Sequence, residues 1–222
     1  GGVVGSLRNR ATEEYDALPD DAHRRTMQQA MLRMVAVEGG ELARRRVALS
    51  ELEYPTAEEN TRVGTVLDRL VEARLLVRGT ADQPDGAQGE AYVEPAHDAL
   101  VLAWDRLLRW KQEAEEYLPL QRRLAQAATE WRQAQPAANS GLLWDDDPRL
   151  PQVEETLWPT GGKQKGLAGR FRWARQVLWP RTTAPADTKW LNGAELGFVQ
   201  ASVTRRAMTL KRVVGITAIV II

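Results

Sequence analysis

Cysteine is absent from all 222 residues, which excludes disulfides, thiolate nucleophiles and thiolate metal ligands. That suits a reducing compartment. Histidine is nearly as scarce, with His23 and His97 as its two examples, so no imidazole-based metal site is expected. No secretory signal is visible, because residues 1–9 have neither a basic start nor an apolar run. The chain does not open on Met and reads as an excerpt of a longer protein. Catalytic motifs are missing too. A P-loop needs GxxxxGK and then Ser or Thr, so that backbone amides surround phosphates and the hydroxyl reaches Mg2+. The one near match, Gly161-Gly162-Lys163, has Leu157 in place of the first glycine and Gln164 in place of the hydroxyl. Asp145, Asp146 and Asp147 lack the alternating ligands and distal Glu of an EF-hand, and read as a solvated loop leading into Pro148. Neither His sits in a serine-hydrolase motif. Nothing in this chain catalyses a reaction alone.

What is present is a globular composition, 43% hydrophobic, on a chain long enough to bury a real core. Net charge is zero but unevenly spread. Residues 51–100 carry four Arg against eleven Asp or Glu, a balance of −7. From residue 159 onward, eleven Lys or Arg face two acids, a balance of +9. Such a split points to different partners for the two parts, and the basic part suits an anionic inner leaflet.

Residues 12–21 (TEEYDALPDD) read as an exposed connection ending in a turn, with Asp20 or Asp21 capping the next helix. Met27, Ala30, Met31, Met34 and Val35 recur at helical spacing, and Gly39-Gly40 is expected to end that helix. Residues 47–52 (VALSEL) read as a short helix or turn, and residues 56–60 as a polar loop or further short helix. From Thr61, Val63, Val66, Leu67, Leu70, Val71 and Leu75 form one amphipathic stripe. It runs into LLVR, a candidate strand, then a Gly/Asp/Pro-rich tip, then a second strand at residues 91–94. Helix, strand, flexible tip, strand is the pattern of a winged helix-turn-helix with a two-stranded wing. Pro95 fits the first turn of a following helix, whose buried face would carry Leu100, Ala103, Trp104, Leu107 and Leu108. Leu120, Leu124, Ala127, Ala128 and Trp131 mark the next helix. All eight tryptophans fall between Trp104 and Trp190 and read as core anchors of a helical array. Residues 159–168 and 180–188 read as loops.

The last helix should start near Asn192, with Glu195 completing a capping box. Residues 213–222 are uncharged and apolar, and Arg205, Arg206, Lys211 and Arg212 precede them as at a cytoplasmic membrane boundary. We expect a transmembrane helix that the sequence cuts short, a buried terminal element being the alternative. DNA binding is the rival function for a winged helix. Arg62, Arg69 and Arg74 lie on its long helix, yet the −7 balance and a wing without a basic residue oppose phosphate neutralisation. His97 stands at the junction of the second wing strand and the next helix, where unpaired amides and a helix dipole favour an anion. On the residues alone, a His that caps the junction is the simpler account.

Taken in order, GGVVGSL, RRRVALSEL, VLDRLVEARLLV, VEPAHDALVLAWDRLLRW, LQRRLAQAATEW and LNGAELGFVQAS resemble the post-ATPase region of STAND NTPases, specifically the bacterial group called novel STAND NTPase 1. The match is poorest over residues 145–189. The resemblance implies a signalling switch: a P-loop module binds ATP or ADP with Mg2+, a winged helix packs on the nucleotide in the closed state, and a sensor such as WD40 repeats controls opening. It implies that His97 and Asp98 correspond to the His-Asp pair of related winged helices, in which the His touches the β-phosphate of ADP. The expected organisation is a helical end of the NTPase module at 1–45, a winged helix at 46–103, a helical domain at 104–200 and a basic juxtamembrane segment with a truncated span at 201–222. Expected partners are an N-terminal P-loop module, C-terminal WD40-type repeats and the inner leaflet, with oligomerisation on activation left open. The alternative is a membrane-anchored winged-helix transcription regulator.

Overall fold

The computed structural model describes residues 2–38, 41–81, 89–134, 140–158 and 191–220, and the side chains of 37, 38, 41 and 210–220 are outside that description. The chain is mainly helical, with two small antiparallel sheets, and divides into two compact units, Gly1–Glu116 and Tyr117–Ile222.

In the first unit, helix α1 (Val3–Asp16) occupies part of the stretch expected to be an exposed connection. It was missed because it has no apolar stripe: Ala11 is its one buried residue. Helix α2 (Asp21–Arg33) starts at the expected cap, where Asp20 accepts the His23 backbone N–H at 2.8 Å. It ends at Arg33, before the glycines. Val35 belongs instead to strand β1 (Val35–Glu38), which pairs antiparallel with β2 (Glu41–Arg44). Gly39 and Gly40, expected to stop a helix, connect these two strands in sequence and lie outside the described residues.

Strand β3 (Val47–Ala48) precedes a 3-10 turn, Leu49–Leu52, and helix α3 (Ala57–Glu72). This helix takes in residues 57–60, expected as a loop or a separate short helix, because Thr56 and Glu59 form a capping box: Thr56 Oγ1 accepts the Glu59 N–H and Glu59 Oε2 accepts the Thr56 N–H, both at 3.2 Å. Val63, Val66, Leu67 and Leu70 are buried along the stripe. Arg74 then takes a left-handed conformation with φ 57°, while its N–H donates to Val71 O and the Leu75 N–H donates to Leu70 O, both at 2.9 Å. Those two bonds satisfy carbonyls of the last helical turn and send the chain sharply into a strand.

Both expected strands are present as β4 (Leu76–Thr80) and β5 (Ala91–Pro95), and β3 adds a third, giving the order β3-β5-β4. The connecting tip at 82–88 lies outside the described residues. Pro95 closes β5 opposite Leu76 and does not begin a helix. The expected single helix is two, α4 (Asp98–Ala103) and α5 (Asp105–Glu113), broken where Trp104 adopts φ −81°, ψ 104°. Leu100 and Leu107 both face the core, so their spacing conceals the break.

The second unit packs helix α6 (Leu118–Gln133), a 3-10 turn at Ser140–Leu142, α7 (Arg149–Thr156) and α8 (Gly193–Val220). Trp144 and Phe198 meet edge-on at 5.3 Å in a core with Leu124, Val153 and Val199. The capping box of α8 forms as expected: Asn192 Oδ1 accepts the Glu195 N–H and Glu195 Oε2 accepts the Asn192 N–H, both at 2.8 Å and both buried. The acidic triplet is not simply solvated, since Asp145 meets Arg205 Nε at 3.0 Å and Asp147 grips Arg149, leaving Asp146 exposed. The loops expected at 159–168 and 180–188 lie outside the described residues, as does the failed P-loop match.

The expected membrane span is not supported. Among the described residues no helix is long and apolar enough to cross a membrane.

Candidate functional site

Three consecutive arginines link β2 to β3, and the extended backbone sends alternate side chains to opposite sides. Arg45 turns one way. It holds Glu51 in a fork, Nη1 to Oε1 and Nη2 to Oε2 both at 2.8 Å, and donates to Arg33 O at 3.0 Å. Arg44 and Arg46 turn the other way, toward the end of β5. Arg46 lies over the Tyr92 ring, 3.8 Å from its centroid, with Nε 3.5 Å from Glu94. The Tyr92 ring in turn covers Gly79, where an added Cβ would come within 2.5 Å of it. Arg44 places Nε 3.1 Å from Asp98 Oδ1 and donates from Nη1 to Pro95 O at 3.2 Å.

His97 sits inside this arrangement, at the residue that precedes α4. Its backbone is extended, and its carbonyl accepts the Leu100 N–H at 3.0 Å. The imidazole does not cap the helix; it is exposed and makes no hydrogen bond among the described residues. The capping account of His97 therefore does not hold. The helix beyond has six residues, so its dipole is slight and any anion contact rests on the imidazole itself. His23, by contrast, is occupied, with Nδ1 2.8 Å from Asp20.

Asp98 faces Arg44. Among the described residues, no three His, Cys, Asp or Glu side chains gather as metal ligands. The donor set thus fits one contact to a phosphate and does not fit a Mg2+ centre within these elements. The arginines of α3 are also engaged: Arg62 pairs with Glu58 at 2.6 Å and Arg69 with Glu14 at 2.5 Å. That leaves fewer free cations for a duplex than the sequence suggests.

His97 stands at the expected strand-to-helix junction, and Arg44 reaches it from β2 with no local signal in the sequence. The arginine triplet was visible as a motif. Its division between Glu51 and the His97 loop was not, because the Arg44–Asp98 pair spans 54 positions. The family described as Novel STAND NTPase 1 matches residues 1–139. No curated protein and no solved structure matches the chain.

Proposed function

Because the chain belongs to the Novel STAND NTPase 1 family, we propose that it relays the ATP or ADP state of a P-loop module to the rest of a signalling NTPase. In this reading the elements from β3 to β5 serve as a winged helix, and His97 meets the β-phosphate of ADP in the closed arrangement. ADP and Mg2+ are held mainly by the P-loop module, which this sequence does not contain. Asp98 accompanies His97 at the nucleotide end of the loop, where its carboxylate faces Arg44.

The observation that carries the reading is the exposed, unbonded imidazole of His97 on a backbone fixed from both flanks. A ligand shifts a conformational equilibrium only by its difference in affinity for the two states. An imidazole that touches ADP in one state supplies such a difference, and exchange for ATP removes it. WD40-type repeats are the proposed recipients of the signal. The basic balance after residue 159 supports an approach to an anionic surface without requiring a span.

The test is His97→Ala in the full-length protein, read by dissociation of a fluorescent ADP analogue. Loss of one hydrogen bond to a charged group should speed release about tenfold or more. An unaltered off-rate would remove the relay reading. DNA binding by the winged helix predicts instead a salt-dependent gel shift on duplex DNA at low salt.

A further inference from the structure

We infer that Arg44 is the positioning residue for His97, an inference that rests on His97 being the phosphate contact. One guanidinium reaches both sides of the Ala96-His97 segment: Nη1 donates to Pro95 O before it, and Nε meets Asp98 Oδ1 after it. From the opposite direction the Ala96 N–H donates to Leu75 O at 2.9 Å. The backbone bearing the imidazole is therefore held at three points, while the ring itself remains open to solvent. A planar guanidinium presents its donors at fixed spacing to the two acceptors, a geometry that the rotatable ammonium of lysine does not fix. Asp98 is a positioning residue for the same reason, since its carboxylate faces Arg44.

The attachment has a direction. Arg44 ends β2 and pairs with Val35 of β1, and Val35 is buried in the core. Arg44 therefore joins the hairpin to a loop that Leu75 and Leu76 hold from the β4 side.

Two measurements test this separately from the phosphate reading. In the present chain, Arg44→Gln should raise amide exchange at Ala96 and Leu100 about fivefold, with the amides of α3 unchanged. Unchanged exchange at those two amides overturns the inference. In the full-length protein, Arg44→Gln should speed release of the ADP analogue when His97 is present and add nothing in the His97→Ala background. Arg44→Lys should fall between wild type and Arg44→Gln. Additive effects of the Arg44 and His97 substitutions would show that Arg44 does not act through His97 and would overturn the inference. Should His97→Ala leave ADP release unaltered while Arg44→Gln still loosens the loop, the phosphate reading is lost and the positioning role of Arg44 stands.

Discussion

Trp104 donates its indole N–H to the Thr12 hydroxyl at 3.1 Å, joining the break between α4 and α5 to the middle of α1. The same hydroxyl donates to Arg8 O at 2.9 Å, so it serves as acceptor and donor at once. Trp104 is 2% exposed, so its indole is buried apart from this contact. Thr12→Val keeps the shape and removes the acceptor. A buried donor left unsatisfied costs about 1–2 kcal/mol, so this variant should lower the unfolding midpoint of the first unit. An unchanged midpoint would show that the indole finds another partner.

Beyond the Tyr15–Trp110 ring contact at 5.4 Å, helix α1 is held by charge. Arg8 pairs with Asp105, Glu14 with Arg69 and Asp16 with Arg106, while Ala11 is its one buried residue. Exposed pairs are worth about 0.5 kcal/mol each and weaken as salt shortens the screening length. Hydrogen exchange across α1 should therefore rise roughly tenfold between low and high ionic strength. The apolar-anchored α3 should barely respond. Equal salt responses in the two helices would mean that α1 is held by packing.

The contrast between these helices explains what the sequence disclosed. Helix α3 has a stripe from Val63 to Leu70, and the strands that follow are short and separated by a Gly/Asp/Pro-rich stretch, so local pattern was sufficient. The Asn192–Glu195 box was readable for the same reason, since its chemistry lies within four residues. Helix α1 lacks a stripe, and its ionic and aromatic partners are distant in sequence. The β1–β2 hairpin was hidden because Val35 continues the apolar spacing of Met27 and Met31, and a glycine pair marks a helix stop as well as a hairpin tip. At the site, the position of His97 was local information. The grip of Arg44 on Pro95 and Asp98 is tertiary, and no local period encodes it.

Arg74 carries the one positive φ found outside glycine among the described residues, at 57°. A side chain disfavours this conformation by roughly 1–2 kcal/mol, whereas glycine takes it freely. Arg74 is exposed, so replacing it removes little packing. Arg74→Gly should stabilise the first unit by about 0.5–1 kcal/mol after the entropy cost of glycine. Arg74→Ala keeps the Cβ and should bring no such gain. Equal effects of the two variants in urea denaturation would assign the change to loss of the arginine and not to the backbone.

Asp20 is where acid should first loosen α2. Its carboxylate accepts the His23 backbone N–H at 2.8 Å and lies 2.8 Å from His23 Nδ1. The backbone bond first, and then the side-chain bond, hold its carboxyl below the usual 3.8. A carboxyl with a depressed folded pKa contributes stability that is fully present above its unfolded value and is lost as pH falls through the folded one. Amide chemical shifts in the first turn of α2 should therefore show an acid step below about pH 3.8. Asp20→Asn retains an acceptor oxygen for the cap but has no proton to gain. It should keep the helix start and flatten the acid response there. If the first turn of the variant moves with pH as the wild type does, the transition belongs to other carboxylates, and the cap is not what acid removes.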